Sequence, residues 1–385
     1  MPTVRLPTAA REIEDFRLGP ASPFPQVQTA SFPRIAYAAA HVVADPRADV
    51  APWQRTAVDW DATLAFRHHL WSLGFKIAEA MDTSQRGMGL EWPTARELIR
   101  RSVAESRTID GADLACGVGT DQLAPGGTLD QVRAAYAEQL EATEAAGGRA
   151  ILMASRALAA AARSADDYLD VYGELIRQAA EPVILHWLGD MFDPALAGYW
   201  GSRDLDAATE TVLALIAEHR ARIDGIKISL LEERREVELR RRLPAGVKMF
   251  TGDDFNYARL IEGDGAHHSH ALLGIFDPIA PAAAAALTAL GSGDTATFRT
   301  ALEPTVPLSR KIFEAPTQYY KAGVVFLAWL NGHQEHFVMV GGMQSARSAL
   351  HYADVFRLAD RARLLRDPDL AATRMRQLMA LHGIA

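Results

Sequence analysis

Three lysines of this chain lie in short apolar segments, a setting in which a lysine can act as a nucleophile. Lys227 stands between two isoleucines, and Lys76 and Lys248 have similar apolar neighbours. Burial lowers the pKa of a lysine and leaves a neutral amine that attacks carbonyl carbons. Such a lysine can instead extend its head group to the strand end, or pair with an interior carboxylate such as Glu79. Spacing alone does not choose among these interpretations or among the three lysines.

Polar side chains follow several of the same apolar segments and are candidates for substrate binding and proton transfer. They are Glu79, Asp82, Thr83, Ser84, Ser155, Arg156, His186, Thr251, Gly252, Asp253 and Asp254. At the C-terminal ends of the parallel strands of a barrel, such groups meet in one site. An imidazole or a carboxylate in that site can serve as a general acid or base.

A histidine cluster offers a different chemistry. His267, His268 and His270 lie within four residues, and His268 and His270 would share one side of a strand. Paired imidazoles are common zinc ligands, so a metal-dependent hydrolase or isomerase is an alternative function. Such hydrolases carry their H-x-H pair on the first strand, where this chain has only His41. We therefore predict no bound metal and expect His270 to hydrogen-bond the substrate; the alternative is that the cluster is simply a histidine-rich loop before the strand.

Eight apolar segments of strand length position these residues. Each is rich in Ile, Val, Leu or Ala, as strands buried on both faces are. The segments are 34–43, 74–81, 112–118, 148–154, 182–188, 224–230, 247–251 and 271–276.

Helical segments alternate with these strands. Thr128 followed by Gln131 is a capping box that predicts a helix over 132–146, and Ser164 opens the segment 168–180 in the same way. Eight strands alternating with helices favour parallel βαβ units that close into a (β/α)8 TIM barrel, although the same alternation allows a doubly wound open sheet.

The predicted domain organisation has three parts. An extended lead-in covers 1–33, the TIM barrel covers 34–295, and an all-helical C-terminal extension covers 296–385.

Composition excludes several classes of partner. The 385 residues carry a net charge of −8, so no general basic excess exists for binding nucleic acid. No apolar run is long enough to span a membrane, and the N-terminus lacks the apolar core of a secretory signal. The single cysteine, Cys116, excludes an intramolecular disulfide and is typical of a reducing compartment. We predict a cytoplasmic protein without nucleic-acid or membrane partners.

Two motifs resemble the dihydrodipicolinate synthase / N-acetylneuraminate lyase family. They are Asp224-Gly225-Ile226-Lys227 and the later run Val247-Lys248-Met249-Phe250-Thr251-Gly252-Asp253-Asp254. The resemblance covers roughly 34–330 and is strongest from 182 onward. It implies a class I aldolase in which Lys227 forms a Schiff base and Gly252 contributes backbone groups near the substrate.

The chain departs from the family pattern at several positions. The family's catalytic tyrosine after the fifth strand is His186 here, and imidazole can take over its proton transfer. The family's G-T-T-G-E segment appears as Asp82-Thr83-Ser84-Gln85-Arg86-Gly87, which places a carboxylate where a keto-acid carboxylate would bind. Ser155 and Arg156 replace the tyrosine-containing end of the fourth strand. The substrate implied is a keto-sugar or a keto-acid derivative rather than simple pyruvate.

The resulting hypothesis is a Schiff-base aldolase or lyase that cleaves or forms a C–C bond in a small carbonyl compound. Lys227 is the predicted nucleophile, His186 the proton shuttle, and Glu79 or Asp82 a second base. The predicted substrate-binding residues are Thr83, Ser84, Arg156, Gly252, Asp253 and His270. We expect no cofactor, and the resemblance implies a homodimer or homotetramer. A non-catalytic barrel that binds a small molecule stays open if Lys227 points outward.

Overall fold

The structure, a computed structural model, describes residues 1–27, 31–124 and 126–384. Its strands are β1 (Thr3–Pro7), β2 (Ile13–Arg17), β3 (Ala36–Ala39), β4 (Lys76–Glu79), β5 (Leu114–Val118), β6 (Arg149–Leu152), β7 (Val183–Leu188), β8 (Ile223–Ser229), β9 (Lys248–Thr251) and β10 (His270–Leu273). Its α-helices are α1 (Trp60–Ser72), α2 (Trp92–Ser106), α3 (Leu129–Ala146), α4 (Arg156–Ala161), α5 (Ala165–Gln178), α6 (Leu205–His219), α7 (Glu233–Arg242), α8 (Tyr257–Glu262), α9 (Ala280–Gly291), α10 (Thr295–Leu302), α11 (Val306–Ile312), α12 (Tyr320–Leu330), α13 (Ala349–Arg361) and α14 (Pro368–Leu381).

Strands β3 to β10 form a closed barrel. Their order is β10-β3-β4-β5-β6-β7-β8-β9, and neighbouring strands run parallel. Each strand falls on one of the eight predicted apolar segments. The predicted (β/α)8 TIM barrel is therefore confirmed, and the open doubly wound sheet is excluded.

The C-terminal region is helical, as predicted, with α10 to α14 following α9. The chain divides into two compact units. The barrel unit comprises Arg34–Ala40 and Lys76–Gly274, and it holds the eight barrel strands and α2 to α8. The second unit comprises Met1–Pro33, His41–Phe75 and Ile275–Ala385. The predicted boundaries at 33 and 295 stay predictions, and Ala385 lies outside the described residues.

The N-terminal segment contains an antiparallel hairpin that the sequence analysis missed. Strands β1 and β2 pair from Thr3 opposite Arg17 to Pro7 opposite Ile13. Val4 and Leu6 are fully buried, whereas most of β2 is exposed. A single half-apolar strand of five residues gives little periodicity, which is why an extended lead-in was expected. Residues 28–30 of that segment lie outside the described residues.

The two predicted helix starts have different outcomes. The capping box at α3 is confirmed, because the Thr128 hydroxyl accepts from the Gln131 backbone N–H and the Gln131 side chain accepts from the Thr128 backbone N–H. Helix α5 begins where expected, but the Ser164 side chain makes no capping hydrogen bond. The carboxylate of Asp167 accepts from the Arg163 backbone N–H instead, at 2.7 Å.

The barrel interior is filled by alternate residues of the strands. Ala78 of β4, Ile184 of β7 and Phe250 of β9 belong to this interior cluster. Gly225 of β8 faces it too, since a Cβ there would lie 2.6 Å from Cε2 of Phe250. The missing side chain at Gly225 thus makes room for the phenylalanine ring. It also fixes which residues of β8 point inward, because side chains alternate along a strand.

Candidate active site

Lys227 points into the barrel. It lies two residues after Gly225 in β8, so both share the interior face, while Ile226 and Ile228 point outward. In the strand register Lys227 lies between His186 of β7 and Phe250 of β9. The outward-pointing lysine that a non-catalytic barrel would require is not observed.

The amine of Lys227 is buried and unpaired. The residue is 7% exposed, and among the described residues its Nζ has no hydrogen-bond or ion-pair partner. Burial lowers the pKa of Lys227, and the carboxylates of Asp254 and Asp82 oppose this shift only in part. A neutral, nucleophilic amine is therefore more accessible here than on a solvated lysine.

Gly252, the residue after β9, lies directly against Lys227. A Cβ at this position would lie 2.6 Å from Cε of Lys227 and 2.7 Å from the carbonyl oxygen of Ile228. It would also lie 2.3 Å from the Ser229 hydroxyl. No other residue type fits without displacing the lysine. Gly252 is therefore a packing requirement of the site.

His186 is the titratable neighbour of Lys227 across the β7–β8 register. The imidazole is completely buried; its Nε2 lies 3.4 Å from the Ser229 hydroxyl, and its Nδ1 has no hydrogen-bond partner among the described residues. Burial, together with the charge of Lys227, holds the pKa of His186 well below its ordinary value. The ring is thus neutral near pH 7, with one nitrogen available to a bound molecule.

Of the two adjacent aspartates, Asp254 acts on Lys227, whereas Asp253, predicted to bind the substrate, is engaged by its own loop. Asp253 accepts from the backbone N–H groups of Phe255 and Asn256 at 2.9 and 3.0 Å, and from the Asn256 side chain at 2.8 Å. It therefore holds the turn before α8. Asp254 is 4% exposed, and its charge acts on Lys227. The sequence Asp253-Asp254 does not indicate which of the two carboxylates acts on Lys227.

The other two candidate lysines lie at the opposite end of the barrel, where the strands begin. Lys76 Nζ is 2.5 Å from Asp113, and Lys248 Nζ is 2.5 Å from Asp224. Both amines are therefore held by a carboxylate and are not available to a bound molecule. The structure therefore separates Lys227 from the two lysines that sequence spacing could not exclude.

His270 also lies at the N-terminal end, which corrects its prediction as a substrate-binding residue. It is the first residue of β10, and its Nδ1 accepts from the Ile35 backbone N–H at 3.0 Å. Burial is the main cause that lowers its pKa to about 4. The rings of His268 and His270 lie 5.3 Å apart. Across residues 1–27, 31–124 and 126–384, no three His, Cys, Asp or Glu side chains are grouped as a metal site requires.

Glu79 faces away from Lys227, contrary to its predicted role as interior partner or second base. Ala78 belongs to the interior cluster, so Glu79 in the same strand points to the outer face beside Cys116. Its carboxylate accepts from the Ala80 backbone N–H at 2.8 Å and contributes to raising the pKa of the Cys116 thiol. Of the two predicted second bases, only Asp82 acts on Lys227.

Of Thr83 and Ser84, the two residues predicted to grip a substrate, Ser84 is engaged within the loop after β4, and the role of Thr83 stays a prediction. Both residues are buried, and the Ser84 hydroxyl donates to the Met81 carbonyl at 2.7 Å. Asp82 is half-buried and lines a cavity at the C-terminal ends of the strands. From this loop, Asp82, Arg86 and Gly87 line the cavity, whereas Thr83 and Ser84 do not.

The cavity measures about 520 Å³ and is built from the segments that follow β4, β5, β6 and β7. Arg156, one of the predicted binding residues, lines it and forms an ion pair with Asp193. Sequence reasoning missed Thr120, Met153 and Leu188 in its wall. The rule that sites form at the ends of barrel strands could have found Thr120, which follows β5 closely.

The fold and the interior lysine define a parallel (β/α)8 barrel with a potential nucleophile near the end of its sixth barrel strand. The chain belongs to the family described as "Protein of unknown function (DUF993)", whose model matches residues 4–384. No curated protein matches the chain. Within the described part of the chain, no helix combines the length and apolarity needed to cross a membrane.

Solved structures similar to this chain are dihydrodipicolinate synthases and their relatives. The enzyme from Oceanobacillus iheyensis has 14% sequence identity and a TM-score of 0.62, over 84% of this chain and 95% of that one. The enzyme from Bacteroides thetaiotaomicron has 12% identity and a TM-score of 0.63, over 86% and 99%. YagE, a prophage protein from E. coli K12 solved in complex with pyruvate, has 13% identity and a TM-score of 0.61, over 91% and 99%. The predicted resemblance is confirmed for the fold.

Proposed function

We propose that this protein is a class I aldolase or lyase that forms a Schiff base at Lys227. The observation that carries the proposal is the buried, unpaired amine of Lys227 inside a barrel whose strand ends also carry a ligand-sized cavity. The likeness in fold to dihydrodipicolinate synthases supports it. A keto-sugar or keto-acid derivative is the substrate class that the resemblance implies.

Schiff-base formation follows from the state of Lys227. The neutral amine attacks the carbonyl carbon, a C–N bond forms, and the carbonyl oxygen takes a proton to give a carbinolamine. Loss of the hydroxyl as water then leaves the iminium ion. Asp254 and Asp82 offset the positive charge that remains on nitrogen.

His186 is suited to move the protons of this reaction. In the cleavage direction, a base removes the substrate hydroxyl proton and the oxygen forms the carbonyl group of the first product. The C–C bond breaks at the same time, and its electron pair passes into the iminium to give an enamine. The imidazole of His186 is neutral, and its Nδ1 has no partner among the described residues. Enamine protonation and hydrolysis of the imine then release the second product and regenerate Lys227.

Borohydride reduction tests the proposal. The protein is incubated with a panel of ketones and aldehydes, reduced with sodium borohydride and mapped by peptide mass spectrometry. We expect one adduct, on Lys227, and an unchanged yield in the Lys248→Met variant, since Lys248 is paired with Asp224 at the other end of the barrel. Adducts that spread over several exposed lysines, or no adduct with any carbonyl, would reject a Schiff-base enzyme.

The metal-dependent hydrolase is the less favoured function, because His270 lies at the N-terminal end of the barrel and its Nδ1 is engaged by the Ile35 backbone. A cytoplasmic location and a homodimer or homotetramer stay predictions.

A further inference from the structure

The wall of the cavity carries information about the substrate, and the inference drawn from it rests on the proposed function. The cavity volume of about 520 Å³ is within the range of small-molecule sites. Met153 belongs to both the barrel core and the cavity wall. Leu188, two residues after His186 and on the same face of β7, also lines it. The cavity thus continues from the interior face that carries His186.

Asp82 is the residue of the cavity wall whose charge acts on Lys227. Lys227 and His186 are not among the lining residues; Leu188, on the same face of β7 as His186, connects the wall to the interior face that carries them. A carboxylate at the position of Asp82 disfavours a bound molecule that carries a negative charge next to its carbonyl group.

The cations of the cavity wall are already neutralised. Arg86 forms an ion pair with Asp121 and donates to the carbonyl oxygens of Ala80 and Gly117, each at 3.0 Å. Arg156 forms an ion pair with Asp193, which lines the cavity as well. Among the described lining residues, no lysine or arginine is left without a carboxylate. A phosphate or carboxylate group of a substrate would have to compete with these partners.

Most of the remaining wall is apolar, with side chains that include Leu123, Met153, Ala157, Leu188, Ala195 and Leu196. Burying an apolar group here gains about 25 cal/mol per Å² of apolar surface. A sugar chain would instead leave hydroxyls without hydrogen-bond partners against these side chains, at a cost for each buried group.

One hydroxyl pair interrupts the apolar wall. Thr120 and Ser155 lie with their hydroxyl oxygens 2.6 Å apart. Ser155 is held in place, because its hydroxyl accepts from the Leu158 backbone N–H at 2.9 Å and its own N–H donates to the Tyr199 hydroxyl at 3.0 Å. This rigid pair can hydrogen-bond a single oxygen of a substrate.

We infer that the substrate is an uncharged ketone or aldehyde with an apolar body, bound between the apolar wall and Lys227, with at most one further oxygen at the Thr120–Ser155 pair. This inference keeps the Schiff base at Lys227 and replaces the keto-sugar or keto-acid derivative that the resemblance implies with an uncharged, largely apolar carbonyl compound.

The test compares borohydride trapping of three ketones at Lys227. Pyruvate is anionic, hydroxyacetone is small and neutral, and 2-hexanone is neutral with an apolar chain. Each rate is divided by the rate of the same ketone with n-butylamine, which removes differences in intrinsic reactivity. We expect 2-hexanone to exceed pyruvate by at least about tenfold, since each buried methylene contributes to binding. Faster normalised trapping of pyruvate rejects this inference but supports the proposed function, whereas no adduct with any ketone rejects both.

A matched pair of variants on α4 tests the location. Ala157→Phe fills the cavity, whereas Ala159→Phe adds the same ring to the same helix at a residue outside the cavity wall. We expect Ala157→Phe to lower the trapping of 2-hexanone at least about fivefold with hydroxyacetone little changed, and Ala159→Phe to leave both rates as in the wild type. Equal effects of the two variants on 2-hexanone would overturn the assignment of this cavity to the substrate.

Discussion

Both ends of the barrel carry lysines on their strands, but the lysines at the two ends differ in exposure and in pairing. At the N-terminal end, Lys76 and Lys248 each have a carboxylate at 2.5 Å and are about one-third exposed. At the C-terminal end, Lys227 is buried and unpaired among the described residues. Burial without a partner favours the neutral form of an amine, and burial lowers the pKa of Lys227. The comparison separates lysines that support the fold from the lysine suited to chemistry.

The largest effect is expected from Lys227→Met. Without the amine no imine forms, so borohydride trapping and any turnover should fall by at least about 1,000-fold. Folding should be preserved, because methionine fills similar space without a buried charge. Trapping rates and a urea unfolding curve measure both properties. If the variant keeps a substantial fraction of wild-type trapping, a residue other than Lys227 is the nucleophile.

His186→Phe should be the next most severe change. It keeps a ring at this position and removes the proton-transferring nitrogens, so we expect a loss of about 100-fold or more in turnover. Borohydride trapping of a ketone should fall less, since the amine of Lys227 is retained. A parallel loss in both measurements would show that His186 only shapes the pocket around the lysine.

Gly252→Ala tests how tightly the lysine is packed. Its new Cβ would lie 2.6 Å from Lys227 Cε and 2.7 Å from a backbone carbonyl oxygen, so we expect about 1–3 kcal/mol of destabilisation and slower trapping. Gly119→Ala is the control at the same end of the barrel, because its nearest neighbour would lie 3.7 Å away. Urea unfolding curves of both variants make the comparison, and an equal cost would contradict the packing argument.

The pH dependence of stability should distinguish Lys227 from the paired lysines. Burial lowers the pKa of Lys227 in the folded protein below the ordinary 10.5, so between these two pKa values the unfolded chain binds more protons. The contribution of Lys227 to the free energy of unfolding therefore rises with pH through that window. We expect Lys227→Met to be more stable than wild type at pH 7 and this advantage to shrink towards pH 10. A constant difference across that range would contradict the lowered pKa.

The smallest effects are expected at the N-terminal end. Lys248→Met and Lys76→Met each remove a partly exposed ion pair, and such pairs contribute about 0–1 kcal/mol. Trapping at Lys227 should be unchanged in both variants. Unfolding midpoints and adduct yields measure these outcomes. A large loss of trapping in either variant would contradict the prediction that Lys227 reacts independently of the lysines at the N-terminal end.

The sequence was most informative where a local pattern has one structural solution. The eight apolar segments became the eight barrel strands because a strand buried on both faces needs a continuous apolar run. The capping box at Thr128 formed as predicted, since both of its hydrogen bonds are local. The helices of the C-terminal region follow from the same kind of local pattern.

The candidate site was less predictable, because each error concerned the place or direction of a side chain rather than the type of element that carries it. Glu79 and Ala78 are adjacent, and one position along a strand decides which faces the barrel interior. His270 begins its strand rather than ending it, which places it at the wrong end for a substrate. Asp253 and Asp254 have the same side chain. Only the path of the loop decides that Asp253 holds the turn before α8 and that Asp254 acts on Lys227.

The N-terminal hairpin is a whole element that depends on long-range contacts rather than on a local sequence pattern. Its strands are short, and in the folded second unit Arg357 donates to the Pro7 carbonyl at 2.9 Å and Arg376 donates to the Thr3 carbonyl at 2.9 Å. Contacts between residues that are hundreds of positions apart leave no local pattern to recognise.

The sequence by itself determined the barrel, its helical C-terminal region and a set of three lysines, since strand length, periodicity and capping act over a few residues. The tertiary structure alone decided which lysine is unpaired, which carboxylates act on it and which cavity lies above the barrel core. Burial and pairing depend on strand register and loop path, and these are settled only when the eight strands close.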